Sequence, residues 1–173
     1  MRSNNKRTQV LEAALSVVED HGANHLTMDA IAAKSGFSKG GVLYHFASKQ
    51  LLLAGMLDHL IASIRARIEA NAKQKSTLQA LLSMETTPTE KRAFLALVAA
   101  GAEDRELLKP AQEYVSHLLE QISREQTATN ESLLLFFAHE GLRFFELHGL
   151  NPMSEEQVRQ FSRYLEQQAG QLK

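Results

Sequence analysis

An all-α fold is what this sequence predicts, on three observations. Apolar residues recur at spacings of three and four along most of the 173 residues, the period of a helix face turned toward a core. Helix-capping residues punctuate these stretches repeatedly. Nowhere is there an alternating apolar run or a tight hairpin turn of the kind that marks paired strands. About nine helices are expected, three at the N-terminus with a larger helical part behind them. Apolar residues make up 44% of the chain, enough for one good core and one smaller module.

The first helix is expected from about Asn5 to Asp20, where Val10, Leu11, Ala14, Leu15 and Val18 form one apolar stripe that Gly22 ends. Arg2, Lys6 and Arg7 open it, either as a frayed basic terminus or as phosphate contacts. His21 and His25 lie four apart, but Gly22 breaks the helix that would align them and nothing completes a metal site. Neither a metal nor a cofactor is expected.

From Thr27 to Lys49 the chain reads as a helix, a tight turn, a second short helix and the start of a third. Thr27 can cap the first of these, Asp29 suits its positive first turn, and Ile31 and Ala32 supply its apolar positions. Gly36 can close that helix in the left-handed conformation, and Ser38 can cap the next. Two helices joined by a short glycine turn form a helix-turn-helix, whose second member lies in the DNA major groove. In that second helix, Lys39 to Phe46, Val42 and Phe46 stand four apart and face inward. Lys39, Gly40, Leu43, Tyr44 and His45 remain around the outside. Helix stability does not explain Gly40 and Gly41, since glycine costs up to about 1 kcal/mol relative to alanine. Close approach of a phosphate or base edge does.

The run Leu26 to Leu53, LTMDAIAAKSGFSKGGVLYHFASKQLLL, resembles the N-terminal DNA-binding domain of the TetR family of one-component transcriptional regulators. The resemblance implies that Lys39, Gly40, Gly41 and Leu43 meet bases, with Ser38 in the same interface, and that Thr27, Tyr44, His45 and Lys49 hold phosphates. One departure stands out: with glycines at 40 and 41, few side chains are left to read bases, so DNA shape carries more of the specificity. A domain covering 1–49 binds DNA on this reading, and 50–173 forms a helical effector-binding and dimerisation domain.

Charge follows the same division. Residues 1–75 hold ten Lys and Arg against six acids, and 76–173 hold nine against fourteen. DNA affinity is therefore expected at the N-terminal end of a chain whose net charge is only -1. Cysteine is absent, which excludes disulfides, thiolate zinc sites and thiol nucleophiles. No apolar run is long enough to span a membrane, and the N-terminus lacks the apolar core of a signal peptide, so a cytoplasmic location is expected.

A long helix from about 48 to 72 joins the two parts, with Leu51, Leu52, Met56, Leu60 and Ile64 on its buried side and Arg65, Arg67, Glu69 and Lys73 toward solvent. It is the natural lever of a ligand-responsive regulator. Ser76 to about Met84 makes a short helix. Thr87, Pro88 and Glu90 then open another with a capping box, ending near Gly101. Pro110 begins a helix carrying Tyr114, Val115, Leu118, Leu119 and Ile122, and Ser123 to Asn130 reads as a loop or a frayed helix end.

Glu131 to His148 carries more apolar surface than one intramolecular face needs, and Ser154 with Gln157 caps a final helix. This pair forms either a deeply buried internal hairpin or half of a four-helix bundle completed by a second copy. Leu134, Ala138, Gly141, Leu142, Phe145, Val158, Phe161 and Leu165 are the expected interface residues, and paired operator half-sites favour the dimer. In family terms an effector pocket follows, lined by Phe94, Leu97, Val98, Tyr114, His117, Leu118 and Phe137. No Ser-His-Asp arrangement, phosphate loop or metal motif points to an enzyme. The sequence thus points to a dimeric repressor, released from a palindromic double-stranded operator by a small-molecule effector and without a membrane partner. The alternative is a helical docking protein whose C-terminal helices bind another protein.

Overall fold

The computed structural model describes residues 2–125 and 127–172. Among them nine α-helices follow one another with no strand. They are α1 Arg2–His21, α2 Met28–Ser35, α3 Lys39–His45, α4 Lys49–Asn71, α5 Thr77–Leu82, α6 Pro88–Glu103, α7 Lys109–Glu125, α8 Thr129–Leu147 and α9 Glu155–Gln171. Short 3-10 turns at Ala23–His25 and Arg105–Leu108 precede α2 and α7. The expected all-α class is the one observed.

Local chemistry sets the helix ends. Thr27 Oγ1 accepts the Ala30 N–H at 3.1 Å and Ser38 Oγ that of Gly41 at 3.1 Å, caps worth about 1 kcal/mol each. Gly36, at φ 74°, closes α2 in the left-handed region that side chains resist. Thr87 with Glu90, and Ser154 with Gln157, close reciprocal capping boxes.

The helices gather into two compact units, Met1–Ala62 with Thr86–Gln112, and Ser63–Glu85 with Glu113–Lys173. A boundary at 49/50 follows chain order alone, whereas in space α6 returns to pack against α1. Small residues make that approach possible: Ala13 and Ala14 on α1, and Ala93 and Ala96 on α6, are all buried in one core with Leu97. The same core holds Val10, Leu11, Leu15 and Val18, the stripe expected of the first helix, together with Ile31, Val42, Phe46, Leu52 and Met56. α6 ends at Glu103, two residues beyond Gly101 and near the expected stop. A Cβ at Gly101 would lie 2.5 Å from Leu108 Cγ, so this glycine also admits the following turn.

The second unit buries Ile64, Ile68, Leu78, Leu81, Leu118, Ile122, Leu135, Phe136 and Leu165. The stretch 123–130, expected as a loop or a frayed helix end, is mostly helix. α7 runs to Glu125 and α8 starts at Thr129, while Gln126 lies outside the described residues. Glu125 has a structural reason to stay ordered: its carboxylate accepts the Thr77 N–H at 2.7 Å and the Thr77 hydroxyl at 2.6 Å, tying α7 to the first turn of α5. Thr77 is only 1% exposed, so removing its acceptor strands a buried donor. Glu125→Ala is expected to lower stability in urea by about 1–3 kcal/mol. Glu125→Gln should recover part of that loss, and equal melts for all three proteins would count against the tie.

Candidate nucleic-acid interface

The second helix of the helix-turn-helix is anchored from beneath. Val42 is fully buried and Phe46 is 2% exposed, so α3 is held by the two residues that the spacing assigned inward. Its opposite side is open. Tyr44 is 82% exposed, a large aromatic left in water with no core to enter, and Leu43, Lys39 and Lys49 are exposed as well. His45 is half-buried, edge-on to Phe37 at 6.3 Å and to Tyr44 at 5.2 Å, so the ring braces Tyr44 as much as it faces out.

Neither glycine of α3 is there for the fold. Both keep ordinary helical backbone, and a Cβ added at Gly40 would come no closer than 4.0 Å to Ser38 Oγ. At Gly41 the nearest atoms would be Ser38 Oγ at 3.4 Å and Phe37 Cβ at 3.5 Å, ordinary contact. Alanine would therefore fit at either position. At Gly40 the missing side chain clears the exposed surface of the helix, whereas the Gly41 position turns toward Phe37.

Electrostatics sort the cations. Lys34 is committed to Asp20 at 2.8 Å, and that hydrogen bond, aided by the lysine's charge, holds the Asp20 carboxyl below its ordinary range. Lys39 reaches Asp29 of α2 at 2.9 Å across an exposed surface, a contact that water and salt readily exchange. Lys49 makes no ion pair among the described residues. Arg7 places its guanidinium 4.6 Å from the Phe46 ring centroid, which bears on packing more than on a ligand. The Arg2 side chain lies outside the described residues. Thr27 and Ser38 spend their oxygen lone pairs on caps, yet each hydroxyl proton can still be donated to a phosphate oxygen.

The expected effector-pocket residues fall in three places. Tyr114, His117 and Leu118 come together along a cavity of about 300 Å³ in the second unit. Phe94, Leu97 and Val98 belong to α6 in the first unit, and Leu97, 1% exposed, is corrected from pocket to core. Phe137 is 60% exposed on α8, not enclosed. The sequence reading missed Arg65, Ile68, Glu69, Ala72 and Gln121, which line the same cavity. Arg65, Ile68 and Glu69 are spaced i, i+3, i+4 on α4, but charged residues at helical period look like a solvated face, and Gln121 comes from α7.

Among the residues assigned to a dimer seam, Leu142 and Leu165 are buried within the chain's own second unit, so they are corrected to internal packing. Leu134 and Phe145 are exposed, with Phe137 and Phe144, while Ala138, Gly141, Val158 and Phe161 are half-buried. On α8, positions 134, 137, 138, 141 and 145 share one face by helical period. Gly141 has nothing within 4 Å of where a Cβ would stand.

Comparison with known proteins bears on the family and the fold. A family model described as bacterial regulatory proteins, tetR family, matches residues 10–56, and one described as tetracyclin repressor-like, C-terminal domain, matches residues 62–170. The chain is similar to the nucleoid occlusion factor SlmA of Marinomonas sp. (strain MWYL1), at 26% identity over 135 residues, 72% of this chain and 68% of that protein. It is also similar to the HTH-type transcriptional repressor KstR2 of Mycobacterium tuberculosis (strain ATCC 25618 / H37Rv), at 34% over 82 residues, 45% of this chain and 41% of the repressor. The match thus spans about two thirds of one relative and two fifths of the other. A solved TetR transcription regulator from Haloarcula marismortui shares the fold at a TM-score of 0.76 and 17% identity, across 98% of this chain and 100% of that one. With both parts of the chain matched, it belongs to the TetR family of bacterial regulatory proteins, DNA-binding transcriptional regulators, and the N-terminal family model spans the helix-turn-helix of α2 and α3.

Proposed function

We propose that this regulator is a cytoplasmic homodimeric repressor that sets α3 of each copy into the major groove of a pseudo-palindromic operator and lets go when a small molecule occupies the second unit. The observation that carries the DNA half of this reading is the outer surface of α3, with Lys39, Leu43 and Tyr44 exposed around a glycine pair that packing does not require. Lys39, Gly40, Gly41 and Leu43 approach bases, and Thr27, Ser38, Tyr44, His45 and Lys49 hold the backbone on either side.

The effector half rests on the family and on the cavity beside Tyr114. One helix, α4, supplies Leu52 and Met56 to the first core and Arg65 and Glu69 to that cavity, so a shift at its far end can reach the reading head. Dimerisation is supported by the exposed apolar face of α8. Gly141→Trp is expected to convert the dimer to monomer in sedimentation without changing the helix content, and an intact dimer would argue against this face.

A binding titration on operator and scrambled duplex tests the reading. Lys49→Ala should weaken both complexes alike and reduce the slope of log affinity against log salt by about 1. Lys39→Ala should cost more on operator than on scrambled DNA if its ammonium reaches a guanine. Gly40→Ala separates function from stability: melting is expected to be unchanged or slightly higher, by at most about 1 kcal/mol, while operator affinity drops at least about tenfold. Unimpaired operator binding by Gly40→Ala would remove the close-approach argument.

A further inference from the structure

Resting on the reading that the second unit holds an effector, we infer that the cavity between α4 and α7 selects a small zwitterion, carrying one carboxylate and one ammonium, over lipophilic compounds and singly charged ions. Its volume of about 300 Å³ is at the small end for a ligand site. Its floor is apolar, with Ile68 and Leu118 buried beneath it. Its walls are not.

Two of the polar lining groups are already engaged. Gln121 donates to the Thr77 hydroxyl at 2.7 Å and to Glu125 at 3.2 Å, and His117 faces Glu120 at 3.9 Å. Three remain. Tyr114 has its hydroxyl buried with no hydrogen-bond partner, while the Arg65 guanidinium stands 5.5 Å from the centroid of its ring. Burial is also what pushes the Tyr114 phenol up from its ordinary range, with Arg65 partly offsetting it, so at neutral pH the group is a neutral donor in search of an acceptor. Glu69, one turn beyond Arg65, and Arg65 itself are solvated and make no ion pair with each other or with any described residue. The next charges around the phenol, Glu140 and Arg143, pair with each other at 3.3 Å and add no net charge.

A ligand that fills this space displaces water from Arg65 and Glu69, while the Tyr114 hydroxyl is already shut off from water. A lipophilic one disturbs the hydration of the guanidinium and the carboxylate and offers neither a partner in return. A simple anion satisfies Arg65 but sits against Glu69, and a simple cation meets the reverse. A carboxylate received by Arg65, with an ammonium directed at Glu69, answers both charges at once and brings an acceptor to the side of the cavity where the unpartnered phenol lies. Residues 65 and 69 are four apart, so their backbones stand about 6 Å apart along the axis of α4, and their flexible side chains admit amino acids of a range of lengths.

The test uses the full-length protein with γ-aminobutyrate as probe, glycine and 6-aminohexanoate to bracket its length, and butyrate, n-butylamine and decanoate as comparators. Calorimetric titration and operator release are read together. At least one of the three zwitterions is expected to bind at least tenfold more tightly than any comparator and to weaken the operator complex. Glu69→Gln should shift preference toward butyrate and Arg65→Gln toward n-butylamine, a reciprocal change that loss of fold cannot mimic; melting curves check that both variants remain folded. Absence of zwitterion binding, or tighter binding by decanoate or a single-charge probe, overturns the ligand class. Zwitterion binding that leaves operator affinity unmoved keeps the ligand class and overturns the effector reading on which it rests.

Discussion

Phe46→Ala is expected to destabilise the first unit by about 3–5 kcal/mol, the range for deleting a buried aromatic ring. Three parts of the chain converge on that ring. Phe46 is the C-cap of α3 and is 2% exposed, the Arg7 guanidinium of α1 lies over its face, and Gly55 of α4 comes so close that a Cβ there would be 2.6 Å from Phe46 Cε1. Removing the ring leaves a cavity that a glycine cannot fill and releases a cation–π contact worth about 0.5–1 kcal/mol. Against a typical total of about 5–15 kcal/mol, this takes most of the margin that keeps α3 presented. Urea melts followed by helix content, with operator binding measured at low temperature where the variant remains folded, separate lost stability from lost recognition. Phe46→Leu should lose much less, and a Phe46→Ala loss below about 1 kcal/mol would show that the ring does not organise the head.

The second large effect depends on pH. His139 on α8 is 6% exposed, its Nε2 has no hydrogen-bond partner, and burial, reinforced by the positive charge of Arg143, brings its pKa from the ordinary 6.5 down to about 4. The facing carboxylate, Glu140 Oε1, is 3.9 Å from Nε2 and is itself held by Arg143. Between pH 6.5 and 4 the unfolded chain takes up a proton that the folded chain refuses. Stability therefore falls as pH drops through that window, by about 3 kcal/mol once pH is below the folded value. Burial pushes the Glu140 carboxyl up, so Glu140 contributes with the opposite sign, gaining stability as pH falls. His139→Phe preserves a ring in the space, keeps Glu140, and should flatten the acid limb of the stability curve by about that amount while stability at pH 8 is held or raised. Parallel curves for the two proteins would contradict the buried, neutral imidazole.

Which features were legible in the sequence follows from the range of the forces involved. Capping at Thr27, Ser38, Thr87 and Ser154 and the inward pair Val42 and Phe46 depend on neighbours within four residues, so spacing alone located them. Longer-range features did not announce themselves. Leu97 belongs to the first core because alanines on α1 and α6 let two distant helices approach, and periodicity cannot say which core an apolar stripe enters. Glu125 lies in a polar stretch that looks like loop until Thr77, distant in sequence, presents two donors to it. Arg65 and Glu69 read as solvated charges, and only the facing α7 makes them the wall of a cavity.

By itself, then, the sequence determined an all-α chain with a glycine-fronted helix displaying Lys39 and Tyr44, since helix caps and one-turn spacings are written in consecutive residues. Tertiary structure alone decided that α6 joins the DNA-binding unit, that Leu142 and Leu165 serve the chain's own interior, and that an unpartnered Tyr114 hydroxyl lies beside Arg65. Each of those depends on which surfaces meet after the helices have formed, and burial is a property of the partner as much as of the residue.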